Sequence, residues 1–436
     1  MNSQLILKDF QSLYPQAIAP GLERITTLLN HLGNPENHIP PVIHVAGTNG
    51  KGSVCAFIRA GLEAAGYRVH AYISPPLISF HEKIRIANNL ITEQHLLSVL
   101  ERVYKVAIQY PATFFELTTC AAMLAFAESD ADYTILEVGM GGRYDATNII
   151  NNPAITVITP ISIDHSEFLG STLADISFEK CGIIKQHVPC ISSYQSSDAL
   201  SVIKDVASSK ESPLFLQGHD FDAYCENQQL VYINNDCRTI LPSPSLAGAH
   251  QYSNAGTSLK VLSELGVPKS VYSNAIKQAE WKGRLQKITS GPLCESFNDD
   301  TEIFVDGGHN AAAAHILAEE MLSMHKKNGK QLVIILGMMK TKDPLTFLNA
   351  FVTLHPIVYP VTIPITNTTN IAGDPTPWSS TEITHIASRI SGLSVYNANN
   401  YYEVPEKIAQ LDMNGSFRIL ICGSLVLAGD VLAKHS

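Results

Sequence analysis

The chain has 436 residues, of which 45% are apolar, and this excludes a wholly disordered protein. Single hydrophobic cores stop growing near about 300 residues, so the length predicts two domains. The 30 basic and 40 acidic residues give a net charge of −10. That balance argues against a nucleic-acid-binding protein, because such proteins are usually basic, but it permits a local cationic pocket for a small anion.

The eight cysteines are scattered and include no CxxC pair. The sequence therefore predicts neither a zinc ribbon nor a disulfide framework, and reduced thiols in a cytoplasmic protein are the expected state. The N-terminus lacks the basic head and apolar core of a secretory signal. No apolar run reaches the roughly 18 residues that a membrane span requires, so no membrane partner is expected.

Apolar spacing predicts a short helical entry within residues 1–40, which Pro40 and Pro41 end. Strands and helices then alternate, and this pattern predicts parallel strands with crossover helices in a doubly wound sheet. The predicted strands are 41–45, 68–74, 132–139 and 154–160, and the predicted helices are 53–66, 114–129 and 173–185.

A more polar stretch over 190–245 contains a predicted hairpin at 230–241. The alternation restarts near residue 289, after a predicted linker, TSGP, at 289–292. We therefore expect an α/β protein with a P-loop domain at 1–288 and a smaller Rossmann-like domain at 289–436. Strands are predicted within 302–310, 331–337 and 417–422, and helices at 343–353, 381–390 and 402–411.

The strongest chemical signal is AGTNGKGS, Ala46 to Ser53, which follows a predicted strand and opens a predicted helix. Glycines let backbone N–H groups converge on an anion, and the helix N-terminus adds partial positive charge. Lys51 would neutralise phosphates, and Thr48 or Ser53 could offer a hydroxyl to phosphate or magnesium. The spacing departs from the general P-loop pattern, and a plain glycine turn is the alternative. The candidate ATP-binding residues are Gly47, Thr48, Asn49, Gly50, Lys51, Gly52 and Ser53.

Two further predicted strands end in polar residues: one reaches Glu137, and the next is followed by Asp164 and His165. Ligands of open α/β sheets bind beyond the carboxyl ends of the strands, so these groups are candidates for a magnesium site. An ordinary strand-end acid and a structural histidine are the alternatives. Lys180, on the following helix, would normally be solvated. If desolvated, it could react with carbon dioxide and become an anionic carbamate.

Eight segments together resemble the folylpolyglutamate synthase family, a group of Mur-ligase-like, ATP-dependent amide ligases. They occur in family order over residues 40–426 and read HVAGTNGKGS, EVGMGGRYDATN, DHSEFLG, EKCGIIK, HQYSNA, WKGRLQ, DGGHN and CGS-L. The resemblance implies a Mur-ligase-like ATP-binding domain that also holds the pterin site, and a C-terminal glutamate-ligase domain. Bacterial members commonly combine dihydrofolate synthase and folylpolyglutamate synthase activities, in folate biosynthesis and one-carbon metabolism.

The resemblance also implies the reaction. ATP would phosphorylate a carboxylate of dihydropteroate or of a tetrahydrofolate glutamate tail, and the amine of L-glutamate would attack the acyl phosphate. Mg²⁺, at two sites, and Lys51 would screen the negative charge. The two-domain layout needs no partner chain, so a monomer is expected.

The site residues implied by the resemblance fall into five groups. Lys51, His165 and Lys180 would be catalytic. Asn254, Arg284 and Asp306 would join the glycine loop in binding ATP. The metal ligands would be Ser74, Glu137, His165 and carbamylated Lys180. The pterin would contact Phe114, Phe115, Glu116, Leu117 and Asp145, and the glutamate would contact His309 and Ser424.

Several of these residues have structural alternatives. Asn254 could cap a helix, Arg284 could form an ion pair between domains, and Ser424 could belong to a simple Gly-Ser turn. Asp306 could belong to a turn without a ligand, and the two phenylalanines could lie partly in the core.

The chain also departs from the family pattern at three places. Pro76 stands where histidine is usual, Tyr144 replaces leucine near the pterin side, and DGGHN differs from the usual DxAHNP. The first departure lies two residues after Ser74, and the second could alter which pterin or tail length is accepted.

Three competing functions follow. The first is the pterin–glutamate ligase, in bifunctional or monofunctional form. The second is a Mur-type ligase on another acid, against which we count the absence of an extra N-terminal domain for a UDP-sugar. The third is a nucleotide-binding switch, which would have no use for Glu137, His165 and Lys180 together.

Overall fold

A computed structural model describes residues 2–14, 19–364, 376–410 and 416–435. These residues form two compact units, one built from 2–245 and 250–281 and the other from 246–249 and the described residues after 281. The second unit begins before the predicted boundary at 288, because the strand Gln286–Ile288 pairs with Glu302–Val305. The predicted linker at 289–292 therefore lies inside the second unit.

The main sheet of the first unit has eight strands. They are β1 (Val42–Ala46), β2 (Val69–Tyr72), β3 (Ile84–Ile86), β4 (Asn89–Leu90), β5 (Tyr133–Glu137), β6 (Ile155–Ile158), β7 (Cys190–Ser192) and β8 (Leu214–Leu216). Their order in space is β4-β3-β2-β5-β1-β6-β7-β8. All neighbours are parallel except at the edge formed by β3 and β4, so the predicted doubly wound, mostly parallel sheet is confirmed.

Helices cover both faces of this sheet. They are α1 (Ser3–Leu13), α2 (Glu23–His31), α3 (Lys51–Ala64), α4 (Glu93–Ala107), α5 (Phe114–Ala127), α6 (Ser166–Leu169), α7 (Leu173–Cys181), α8 (Ser197–Ser209), α9 (His250–Glu264) and α10 (Tyr272–Gln278). Short 3₁₀ helices occur at Pro35–Asn37, Phe80–Lys83, Ala146–Ile149 and Lys269–Val271. One apolar cluster lies under α1, α2, α4 and α5, and another lies under α7 and α8. The predicted helical entry is confirmed by α1 and α2, although residues 1 and 15–18 of it lie outside the described residues.

The predicted hairpin is also present. It consists of β10 (Gln229–Asn234) and β11 (Cys237–Leu241), and β9 (Phe221–Glu226) extends it to three antiparallel strands. Asn235 and Asp236 occupy the turn with φ of 49° and 59°, values that these two residue types tolerate.

The second unit is a mixed sheet with helices. Its strands are β12 (Gln286–Ile288), β13 (Glu302–Val305), β14 (Gln331–Leu336), β15 (Ile357–Pro360), β16 (Ser394–Val395) and β17 (Phe417–Cys422). The order is β12-β13-β17-β14-β15-β16, and only β12 is antiparallel to its neighbour.

The described helices of this unit cover most of the predicted ones. They are α11 (Pro292–Glu295), α12 (Ala311–Asn328), α13 (Pro344–Asn349), α14 (Ser380–Ala387), α15 (Val404–Ala409) and α16 (Leu425–His435), with 3₁₀ helices at Val352–Leu354 and Tyr401–Glu403. Residue 411, the last of the predicted helix 402–411, lies outside the described residues.

The strand order brings four chain segments of the first unit to one place. β2, β5, β1 and β6 are parallel neighbours, so their carboxyl ends meet at the same edge of the sheet. At or just beyond these ends lie Ser74, Glu137, the glycine loop and Asp164 with His165. Among the described helices, none combines the length and apolar character that crossing a bilayer requires.

Candidate functional site: a glycine loop and its neighbours

The glycine loop connects β1 to α3, as the motif predicts. Gly47 has φ of +147°, and a Cβ at this position would lie 1.9 Å from Thr159 Oγ1. Gly50, at the N-cap of α3, is left-handed with φ of +88°. Both positions therefore require glycine, the first for close approach to the β6 end and the second for its backbone conformation.

The N-terminus of α3 is open to an anion. Its N-cap Gly50 has no side chain to bond the first backbone N–H groups of the helix. Lys51 Nζ donates to the carbonyl oxygens of Gly47, at 3.1 Å, and Thr48, at 3.3 Å. The ammonium is thus held over the loop, where a phosphate would meet it together with the positive end of the helix.

The two hydroxyls considered for phosphate or magnesium already have protein partners. Thr48 Oγ1 donates to the carbonyl oxygen of Ser162 at 3.0 Å and accepts from its N–H at 3.1 Å. Ser53 Oγ is buried and accepts from Gln251 Nε2 at 3.3 Å. Both contacts hold the loop against neighbouring segments. Asn49 adds to the first, since its Nδ2 lies 3.3 Å from Ser162 Oγ.

Asn254 contacts the loop from α9. A Cβ on Gly50 would lie 2.7 Å from Asn254 Oδ1, and Asn254 Nδ2 donates to Gln251 Oε1 at 2.9 Å. Asn254 lies in the second turn of α9 and does not cap it. Trp281 packs on the same loop, because a Cβ on Gly52 would lie 2.1 Å from its ring carbon Cζ2. The sequence analysis did not single out Gln251 or Trp281.

Ser74 and Glu137 are brought together at the ends of β2 and β5. Ser74 N–H donates to Glu137 Oε2 at 3.2 Å, and Glu137 is 4% exposed. The hydroxyl oxygen of Ser74 is buried and has no hydrogen-bond partner among the described residues. An orphan hydroxyl beside a buried carboxylate is an arrangement of hard oxygen ligands that fits Mg²⁺.

His165 lies beyond the carboxyl end of β6, next to Asp164. It is left-handed, with φ of +52°, and its ring Nε2 lies 4.0 Å from Asp164 Oδ2. The described residues contain no group of three or more His, Cys, Asp or Glu side chains that could hold a metal ion. Ser74 and Glu137 could supply two oxygen ligands to a metal ion, and His165 stays a predicted third ligand.

Lys180 is buried next to the glycine loop. It is 4% exposed, and its Nζ donates to the carbonyl oxygen of Gly47 at 2.9 Å. Burial, together with the nearby charge of Lys51, lowers the pKa of Lys180 to about 7. A large fraction of this amine is therefore neutral near pH 7, the form that adds to carbon dioxide.

Four of the five residues predicted to contact the pterin lie at the start of α5, and they separate into two pairs. Phe114 and Phe115 are partly exposed and pack on Phe80 and Tyr72, with ring centroids 6.4 and 6.0 Å apart. Glu116 and Leu117, in contrast, are buried.

The Glu116 carboxylate is occupied by contacts within the protein. It accepts hydrogen bonds from the backbone N–H and the hydroxyl of Thr113, both at 2.8 Å, in a capping box of α5. It also forms an ion pair with Arg24 at 3.0 Å. Leu117 belongs to the apolar core. Phe114 and Phe115 are thus the members of this segment that a ligand could reach.

Asp145 holds the loop after β5 in shape. Its Oδ2 accepts from the N–H groups of Gly139 and Met140 at 3.0 Å, and its Oδ1 accepts from the N–H and hydroxyl of Thr147. Four donors occupy the four acceptor positions of the carboxylate. Burial raises the pKa of Asp145, whereas these hydrogen bonds lower it.

Lys83 was missed by the sequence analysis. It is 3% exposed at the end of the 3₁₀ helix Phe80–Lys83. Its Nζ lies 4.9 Å from the ring centroid of Phe115 and 5.0 Å from that of Tyr72. Burial lowers the pKa of Lys83 to about 7, against the opposing charges of Asp145 and Glu137. In the segment FHEKIRI, Lys83 looks like an ordinary surface lysine, so no local sequence pattern could have identified it.

The second unit gathers its own predicted residues. Asp306 follows β13, and its carboxylate accepts from the N–H groups of Leu285, at 2.8 Å, and Gly308, at 2.6 Å. Arg284 is adjacent, because a Cβ on Gly307 would lie 3.3 Å from its Nη1. Asp306 thus fixes the turn that carries Arg284 and the DGGHN segment.

The two predicted glutamate contacts lie on the same edge of this sheet. The N–H of Gly423 donates to the carbonyl oxygen of Gly308 at 3.0 Å, which joins the turn after β17 to DGGHN. Ser424 is buried and its Oγ accepts from the N–H of Val426 at 3.1 Å. His309 Nδ1 lies 3.2 Å from the carbonyl oxygen of Gly307.

Family models match both parts of the chain. The Mur ligase middle domain matches residues 45–262, and the dihydrofolate synthetase C-terminal domain matches residues 293–434. Dihydrofolate synthetase of Saccharomyces cerevisiae is 32% identical over 453 aligned residues, which cover 96% of this chain and 99% of that protein.

Solved structures of the family share the fold. E. coli FolC in complex with DHPP and ADP has a TM-score of 0.85 and 26% identity, covering 99% of this chain and 97% of its own. A bifunctional folylpolyglutamate synthase/dihydrofolate synthase with Mn, AMPPNP and L-glutamate bound has a TM-score of 0.82 and 25% identity, covering 99% and 98%. Together with the buried lysine, the loop and the Ser74–Glu137 pair, these similarities show that the chain belongs to the folylpolyglutamate/dihydrofolate synthase family and is an ATP-dependent glutamate ligase.

Proposed function

We propose that this chain joins L-glutamate to dihydropteroate, as a dihydrofolate synthase. The observation that carries the proposal is the convergence of an open phosphate loop, an oxygen-ligand pair and two partly exposed phenylalanines at one sheet edge of the first unit. The full-length similarity to the yeast dihydrofolate synthetase supports this choice of acid.

The phosphate-binding role falls to the loop of Gly47, Thr48, Asn49, Gly50, Lys51, Gly52 and Ser53, with Asn254 against it. Lys51 would leave its two carbonyl partners and face the β- and γ-phosphates. Arg284 and Asp306 of the second unit are proposed to bind the same nucleotide, and His309 and Ser424 to bind L-glutamate.

The metal ion would be Mg²⁺, held by Ser74, Glu137 and His165, with carbamylated Lys180 near a second ion. The solved relative with bound Mn supports a divalent metal in this family. When bound, Mg²⁺ would offset the negative charge of the phosphates. The neutral amine of Lys180 would attack the carbon of CO₂ and release one proton, and the resulting carbamate would supply oxygen ligands.

The chemistry proceeds in two displacements. A carboxylate oxygen of the pterin acid attacks the γ-phosphorus of ATP, the bond to the β–γ bridging oxygen breaks, and ADP leaves. The neutral amine of L-glutamate then attacks the acyl carbon, the C–O bond to phosphate breaks, and the amine loses a proton. Phe114 and Phe115 would contact the pterin, on a loop that Asp145 fixes.

Product analysis by mass spectrometry tests the proposal. Wild-type protein, ATP and L-glutamate are supplied with dihydropteroate, and a product heavier by one glutamate residue is expected. Phosphate release should require both the acid and glutamate. Equal phosphate release with neither present would show that the chain is not this ligase.

Extension of folate glutamate tails is a second candidate activity. The similarity to a bifunctional enzyme over 99% of this chain supports it. The same assay with tetrahydrofolate in place of dihydropteroate separates the bifunctional from the monofunctional form. A Mur-type substrate would instead appear as turnover with a UDP-linked acid and none with dihydropteroate.

A further inference from the structure

The Lys83 side chain is 3% exposed, and its ammonium group lies among aromatic rings. In the part of the chain that the structure describes, its Nζ makes no hydrogen bond or ion pair, and its contacts are the rings of Phe115, Tyr72 and Phe80 at 4.9 to 5.6 Å. Rings attract a cation but accept none of its three N–H donors in the way an oxygen does. An ammonium group held among rings keeps its N–H donors available to an oxygen of a ligand or of water.

A second buried lysine of this protein shows the ordinary solution. Lys260 is 2% exposed, and its Nζ lies 4.0 Å from the ring centroid of Phe215. It also donates to Glu264 Oε1 at 2.6 Å and to Asn234 Oδ1 at 3.3 Å. The fold thus satisfies this structural lysine with two side-chain oxygens, whereas no oxygen of the described residues accepts a hydrogen bond from Lys83.

Two of the polar groups near Lys83, Asp145 and Tyr72, are engaged elsewhere. All four acceptor positions of Asp145 are filled by Gly139, Met140 and Thr147. The hydroxyl of Tyr72 lies 3.2 Å from the hydroxyls of Thr118 and Thr119, so only its ring faces the ammonium. Neither group can become the partner of Lys83 without losing bonds it already makes.

The backbone fixes Lys83 at the proposed substrate site. Its carbonyl oxygen accepts from the N–H of Ile73 at 2.9 Å, next to Ser74. Phe115, whose ring lies over the ammonium, is a proposed pterin contact. An acid lying on Phe115 with its carboxylate toward Ser74 and Glu137 would pass the Lys83 ammonium.

We propose that Lys83 binds the aromatic acid, donating hydrogen bonds from Nζ to an oxygen acceptor of the pterin or of its carboxylate. The proposal rests on the proposed function and adds a specificity-determining residue to it. Lys83 favours acids that carry an oxygen acceptor at this point and disfavours analogues that present a hydrogen-bond donor there.

The test measures binding of dihydropteroate without ATP or glutamate, by titration calorimetry. Lys83→Met keeps the length and apolar stem of the side chain and is expected to weaken binding about 10- to 100-fold, the range for a hydrogen bond to a charged group. Lys260→Met is the matched control, expected to keep wild-type affinity for the acid. The affinity for ATP should be unchanged in both variants. Wild-type affinity for dihydropteroate in Lys83→Met overturns the proposal.

Two analogues identify the acceptor. One replaces the 4-oxo group of the pterin by an amino group, and the other replaces the carboxylate by a carboxamide. The wild-type preference for the natural compound should disappear in Lys83→Met for the analogue that alters the contacted oxygen. If Lys83→Met keeps both preferences, Lys83 contacts neither oxygen and the proposal is wrong.

A neutral variant separates the charge of Lys83 from its ability to donate a hydrogen bond. Lys83→Gln keeps an N–H donor without the charge, and charge-assisted bonds are about twice as strong as neutral ones, so weaker binding is expected. Thermal melts of each variant confirm folding. Because binding is measured without turnover, a wild-type protein that binds the acid but makes no dihydrofolate would refute the proposed function and leave Lys83 testable.

Discussion

Lys180 donates a hydrogen bond from Nζ to the carbonyl oxygen of Gly47, 2.9 Å away, and so ties the last turn of α7 to the first residue of the glycine loop. Lys51 donates to the same oxygen at 3.1 Å. Two lysines on one carbonyl are costly when both are charged. Burial, and after it the charge of Lys51, lowers the pKa of Lys180.

Lys180→Met should separate nucleotide binding from ligation. We expect ATP affinity within a few-fold of wild type and a loss of about 100-fold in amide formation, the scale of losing a group that supports a metal site. The control is Lys185→Met, which removes a partly buried lysine whose pKa burial also lowers. With ¹³CO₂, a carbamate signal should be seen in wild type and Lys185→Met and be missing in Lys180→Met. Undiminished ligation by Lys180→Met would contradict the carbamate role.

Gly47→Ala should abolish ATP binding. The new Cβ would lie 1.9 Å from Thr159 Oγ1 and 2.8 Å from the Thr159 carbonyl oxygen, at φ of +147°. Gly66→Ala is the matched control, since Gly66 has φ of +88° with nothing within 4 Å of an added Cβ. It should cost about 1 kcal/mol of stability and leave ATP affinity intact. Calorimetric titration with ATP measures both, and equal affinity in the two variants would show that loop geometry is not the cause.

Ser74→Ala should affect metal dependence and leave stability almost unchanged. Removing a buried hydroxyl that has no partner among the described residues is expected to change the free energy of unfolding by less than about 1 kcal/mol. The Mg²⁺ concentration for half-maximal activity should rise about tenfold. The control Ser212→Ala should give the opposite result, a lower free energy of unfolding and an unchanged Mg²⁺ requirement. The reason is that Ser212 Oγ donates to the Val188 carbonyl oxygen at 2.6 Å in the interior. An unchanged Mg²⁺ requirement in Ser74→Ala would exclude Ser74 as a ligand.

His44 should make stability depend on pH in the acid range. It is fully buried in β1, its Nε2 lies 2.8 Å from Thr147 Oγ1, and burial lowers the pKa of His44 to about 3. Between pH 6.5 and about 3 the unfolded chain binds a proton that the folded chain does not. The free energy of unfolding should therefore fall as the pH falls through this window, by up to about 1.4 kcal/mol per pH unit.

Urea denaturation at several pH values measures this slope. His44→Gln should have a shallower slope than wild type, while His219→Gln, at an exposed position, should keep it. Identical slopes in wild type and His44→Gln would show that other groups set the acid limit of stability.

The alternation of strands and helices was predictable because each strand of the parallel sheet is a short, fully buried apolar run. The residues of β1 and of β6 are all buried, and such runs stand out between amphipathic helices. The edge strands β3 and β4 were not predicted. β3 has only three residues, and β4 has two exposed ones, so neither gives an apolar run long enough to stand out in the sequence.

The polar site was predictable where a backbone motif defines it and not where tertiary contacts do. The spacing of glycines placed Gly47, Gly50 and Lys51 correctly on a strand–loop–helix unit. The capping box that occupies Glu116 depends on Thr113, and its ion pair depends on Arg24, which is remote in sequence. The burial of Lys83 likewise arises from three aromatic residues on separate segments.

The ring of Trp281 against Gly52 gives the protein a built-in optical reporter. The chain has two tryptophans, and the other is Trp378. A Trp378→Phe background would leave a single indole emitter packed against the first turn of α3, close to where a triphosphate is proposed to sit. Its emission spectrum and quenching could then follow nucleotide arrival in real time, without a dye or a modified substrate.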